Sequence, residues 1–134
     1  MGLFDKIFKV DESRLSNIKL TSEEAFIAIM FSAIEADQTV AREELQALGY
    51  ILSRFKGLGT MTPPQFQNLV DRFTKIIRRE GVGTLVAAAK TTLAQGMRET
   101  AFANAVEIVL ADGIVDPKEK EFLEKLQVTL CSLT

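Results

Sequence analysis

A ten-residue stretch that occurs twice constrains this chain more than any other feature. Leu110-Ala111-Asp112-Gly113-Ile114-Val115-Asp116-Pro117-Lys118-Glu119 is matched by Glu35-Ala36-Asp37-Gln38-Thr39-Val40-Ala41-Arg42-Glu43-Glu44, at an offset of 75 residues. Each copy sets an Asp, a Val three positions on and a Glu seven positions on. The register extends beyond the turn. Aligning Glu23–Arg54 with Arg98–Thr129 gives seven identities, Glu24/Glu99, Ala28/Ala103, Ala36/Ala111, Asp37/Asp112, Val40/Val115, Glu44/Glu119 and Leu48/Leu123. Apolar matches add Ile27/Phe102, Phe31/Val106, Ile34/Val109 and Ile51/Leu126. A repeat of this form predicts two helix–acidic loop–helix units that pack face to face about a pseudo-twofold axis and bring their loops close together.

The rest of the chain reads as helix. Met1–Val10 is a short amphipathic segment, with Leu3, Phe4, Ile7 and Phe8 at helical spacing, and a polar linker runs on to Leu20. Residues 1–20 are therefore set apart from a helical domain at 21–134. Thr21 and Glu24 form a capping box for a helix over about Ser22–Ala36, with Phe26, Ile27, Met30, Phe31 and Ile34 as its apolar face. A second helix covers about Arg42–Phe55 and ends at Gly57 and Gly59. Thr62, Pro63 and Gln65 start a third, whose stripe is Phe66, Leu69, Val70, Phe73, Ile76 and Ile77. Its cations, Arg72, Lys75, Arg78 and Arg79, gather towards the negative end of the helix dipole. Gly81-Val82-Gly83 is a break, an Ala-rich helix follows over Thr84–Ala94, and Gln95-Gly96 breaks that in turn. Helices over about Met97–Ala111 and Pro117–Leu130 complete the chain. No alternating strand pattern occurs, so the expected fold is all-α, a compact bundle of six or seven helices in two pseudo-symmetric halves.

Composition excludes several functions. The net charge of −2 provides no field for nucleic acid or anionic lipid. No apolar run reaches the roughly 18 residues that span a bilayer. With no histidine and one cysteine, Cys131, neither Ser-His nor Cys-His catalysis is possible, and a reducing cytoplasm suits the chain.

The acidic loops carry the remaining chemistry. Asp112-Gly113, five residues and Glu119 match the last eight positions of an EF-hand calcium loop, and Asp37 and Glu44 fall at the same places. The first two EF-hand ligands are missing, since Ile108 and Leu110, or Ala33 and Glu35, stand there. Two readings stay open. Asp116-Pro117-Lys118-Glu119 is a helix-capping sequence, and Asp37 and Asp112 can close local turns. Alternatively, Asp37, Glu44, Asp112 and Glu119 hold a hard divalent cation such as Ca²⁺ or Mg²⁺, which takes carboxylates together with the free carbonyls of a helix end. Glu35, Glu43, Glu107 and Asp116 are the nearest further oxygens.

The motifs Ala36-Asp37-Gln38-Thr39-Val40 with Glu44, and Ala111-Asp112-Gly113-Ile114-Val115 with Glu119, resemble the TerB-like family of tellurite resistance proteins. The opening Met-Gly-Leu-Phe-Asp-Lys-Ile-Phe is similar to that of cyanobacterial-type single-domain members. The resemblance spans about Leu20–Leu130. It implies an all-helical domain of two related halves, acidic loops that bind a divalent metal through Asp37, Glu44, Asp112 and Glu119, and a non-enzymatic role in tellurite or wider chemical-stress defence. It also implies membrane-associated protein partners, so a cytoplasmic chain peripheral to a membrane is the expectation, with self-association as a homodimer and an adaptor role as further readings. Gln38, Thr39 and Ala41 depart from the family pattern and make the first loop the weaker site.

Overall fold

Among the described residues the chain forms six helices and no strand, in the order α1 (Ser22–Glu35), α2 (Arg42–Ser53), α3 (Pro63–Glu80), α4 (Val82–Thr92), α5 (Gln95–Val109) and α6 (Pro117–Cys131). The structure is a computed structural model and describes residues 17–35, 42–54, 61–110 and 117–131, with backbone alone at 42–45. The Met1–Val10 segment, most of the linker and the Phe55–Gly59 end of the second helix lie outside the described residues.

α1 is the centre of the molecule. All ten residues from Ala25 to Ile34 are buried, so the helix is enclosed on every side rather than along a stripe. The reason lies between the large side chains: Ala25, Ala28, Ile29 and Ala33 are apolar as well, and a helix apolar all round must be covered all round. α4 and α5 supply most of the cover, and α2, α3 and α6 complete it. The one polar side chain in this run, Ser32, is satisfied locally, its hydroxyl donating to the Ala28 carbonyl at 2.7 Å.

Local chemistry fixes where the helices begin. The Thr21 amide donates to Glu24 Oε1 at 2.9 Å and the Glu24 amide to Thr21 Oγ1 at 3.1 Å, a reciprocal capping box. Thr62 and Gln65 repeat it at α3, with Pro63 in the first turn. α3 buries Leu69 and Phe73, while Phe66, Val70, Ile76 and Ile77 pack at the edge of the core. The Phe73 ring lies 6.1 Å from that of Phe31.

The α4–α5 joint differs from the expected break at Gln95-Gly96, both of which are helical. The chain turns instead at Leu93 and Ala94, where Leu93 is extended. Arg98 stabilises this turn, its Nε donating to the carbonyls of Lys90 at 3.1 Å and Leu93 at 2.9 Å, so a side chain from the next helix caps the end of α4.

The sequence repeat is not matched by equivalent burial. Ala28 is fully buried whereas its counterpart Ala103 is exposed, and Phe31 is buried where Val106 is only partly covered. Among the described residues the equivalent helix pairs also pack unequally, α5 closely on α6 and α1 only lightly on α2.

Two glycines and one thiol yield tests. Gly81 alone links α3 to α4 at φ 90 and ψ 155, a conformation open in practice only to glycine, and its amide donates to the Ile77 carbonyl at 2.9 Å. Gly81→Ala is predicted to destabilise by about 1–3 kcal/mol in equilibrium urea unfolding. Gly49 lies inside α2 with nothing within 4 Å of an added Cβ, so Gly49→Ala is predicted to stabilise by about 0.5–1 kcal/mol in the same measurement. Burial, helped by the nearby Glu99 carboxylate, raises the Cys131 thiol above its ordinary pKa. The unfolded chain therefore ionises this thiol first, and stability is full below the ordinary thiol pKa and lost as pH rises through the raised one. Unfolding curves across that alkaline window should show the loss, and Cys131→Ser should remove it.

Candidate functional site

The four carboxylates singled out from the repeat are placed unequally. Asp37 and Asp112 lie outside the described residues, and so does the side chain of Glu44, whose backbone is in the first turn of α2. Glu119 is described. It sits in the first turn of α6, is only 5% exposed and is engaged by its surroundings rather than free. A carboxylate in a helix's first turn is favoured by the positive end of the dipole, which offsets part of the cost of burying it. Buried carboxylates are uncommon, and this is the only buried acid among the described residues.

The helix ends bear on whether the two loops can share a ligand. Residues 36–41 join α1 to α2, and residues 111–116 follow α5 and Leu110 and lead into α6. Arg54, directly after α2, pairs with Glu107 in the last turn of α5 at 3.2 Å. This contact ties the C-terminal end of α2 to the end of α5 from which the second loop departs. The first loop enters at the other end of α2. Twelve residues of α-helix are about 16–18 Å long. Two carboxylates on one hard cation must each reach within about 2.6 Å of it. The shared site expected from the repeat falls on Asp37 and Asp112, which lie outside the described residues.

Glu107, expected as a spare oxygen for such a site, is committed to Arg54. The Arg54 guanidinium also lies 5.0 Å from the centroid of the Tyr50 ring, and Tyr50 is 63% exposed. Sequence reasoning passed over this cluster. Its only local signal is the four-residue spacing of Tyr50 and Arg54, which places both on one helix face. A second unexpected polar group is Thr84 Oγ1, buried in α4 with no hydrogen-bond partner.

The donor set favours one class of metal. With no histidine in the chain, the candidate ligands are oxygens, which suit hard cations. The lone thiol, Cys131, lies at the opposite end of α6 from Glu119, twelve residues or about 18 Å away, and cannot join the same site. Among the described residues, no three or more Asp, Glu, Cys or His side chains cluster closely enough to hold an ion. Any such site must draw on the loops themselves and on backbone carbonyls.

The chain matches the family model described as tellurite resistance protein TerB over residues 23–131. No curated protein and no solved structure matches it. The matched span runs from the second residue of α1 to the last residue of α6 and so takes in the whole helical body with both acidic loops. The chain belongs to the TerB family.

Proposed function

We propose that this chain is a non-enzymatic TerB module of the tellurite and chemical-stress response, acting in the cytoplasm, and that each acidic loop engages a hard divalent cation at its own site. Asp112 and Glu119 would serve one site, and Asp37 and Glu44 the other, with helix-end carbonyls and water completing each shell. The observation that supports this most is the buried Glu119 carboxylate, at the position that the repeat assigns to a ligand. Bound there, the ion would supply charge compensation for the acidic loop and the free carbonyls before it, and would fix the entry angle of α6. No helix among the described residues is long and apolar enough to cross a membrane.

A second reading, an adaptor whose loops are structural turns, is favoured by one observation. Tyr50 is exposed with Arg54 stacked on it, and exposed Tyr and Arg side chains are frequent anchors in protein interfaces.

Thermal unfolding in the presence of Ca²⁺, Mg²⁺ or Mn²⁺ tests the cation reading. A bound ion raises apparent stability by mass action, by about 2.7 kcal/mol at a hundredfold excess over Kd. With two separate sites, Asp112→Asn/Glu119→Gln should lose part of the rise and the fourfold Asn/Gln variant all of it. A melting temperature indifferent to all three ions would leave the adaptor reading.

A further inference from the structure

α3 concentrates the positive charge of this chain. It carries Arg72, Lys75, Arg78 and Arg79 against Asp71 and Glu80, a balance of +2, whereas the whole chain is −2. The helix dipole accounts for Arg78 and Arg79 in the last turn, but its effect fades before Lys75 and Arg72. Arg72 has a visible structural role. It donates to Glu24 Oε2 at 2.9 Å and to the Lys19 carbonyl, and so holds the segment entering α1 against α3.

That clamp shapes a groove of about 560 Å³ between the segment and the helix, within the size range of small-molecule sites. Ile18 and Ile76 offer apolar surface, and Asn17 and Asn68 offer amides. Lys75 lines the same groove, is exposed, and makes no ion pair among the described residues. The acids limit what could enter. Asp71, which accepts from Gln67 at 3.0 Å, and Glu80 also border the groove and would repel a polyanion. Glu80 stands at the negative end of the helix, so the Lys75 end is the more favourable for an anion.

The geometry points to a binding site for a small organic anion bearing one carboxylate or phosphate group. Its head lies at Lys75, its polar edge against the Asn17 and Asn68 amides, and its apolar body on Ile18 and Ile76. This site is independent of the acidic loops.

Titrating isotope-labelled protein with phenyl phosphate tests it. Saturable amide shifts are expected at Asn17, Ile18, Asn68 and Lys75 at millimolar probe. Lys75→Glu is expected to weaken the affinity about tenfold or more without lowering the melting temperature, since Lys75 is exposed and unpaired among the described residues. Inorganic phosphate, lacking an apolar body, should bind more weakly. Absent saturable shifts, an affinity unchanged in Lys75→Glu, or inorganic phosphate binding as tightly as phenyl phosphate would each overturn the assignment.

Discussion

The burial of α1 on every side is the constraint on which the rest of the structure depends. Ten consecutive residues, most of them apolar, cannot face water at any angle, so the remaining helices must form a sheath around them. Leu85, Val86 and Ala89 of α4 and Ala101, Ala105 and Ile108 of α5 are buried in that sheath. α4 and α5 run through small residues, which allows close approach at close-packed density. Once α1 is enclosed, the ends of the other helices are set, and so are the places where the acidic loops leave the core.

Polar contacts then fix the sheath at a few points. Arg72 ties the entry of α1 to α3, Gly81 folds α3 directly into α4, Arg98 caps α4 from α5, and Arg54 ties α2 to α5. The Arg72 and Arg54 pairs are exposed enough that solvent screens them, so their value lies in orientation more than in stability. Gly81 differs, because its strain is local and its amide is committed to the preceding turn.

How much was legible in the sequence depended on how local the physics is. The two capping boxes rest on contacts three residues apart, and both helices begin where those residues predict. The Pro117 start of α6 was legible for the same reason. The full enclosure of α1 was not, because Phe26, Ile27, Met30, Phe31 and Ile34 suggest a stripe and the alanines between them look neutral until a neighbouring helix covers them. Gly96 was misread as a breaker, since the true turn at Leu93 is stabilised by Arg98 from the following helix. At the candidate site, the repeat identified which acids to consider and the family to which the chain belongs. It could not show that the end of α2 meets the end of α5, because Arg54 and Glu107 stand 53 residues apart.

The spacing of the two loops bears directly on function. A shared cage would make the two loops one cooperative unit, whereas separate sites let each loop respond alone and allow the first to weaken without silencing the second. The most direct test is the distance between the mouths of the two loops. Spin labels placed by Arg42→Cys and Leu110→Cys in a Cys131→Ser background, and read by pulsed electron resonance, are predicted to lie more than about 15 Å apart, since the length of α2 separates Arg42 from the Arg54–Glu107 pair near Leu110. A separation under about 10 Å would put the loops within reach of one ion and contradict the account.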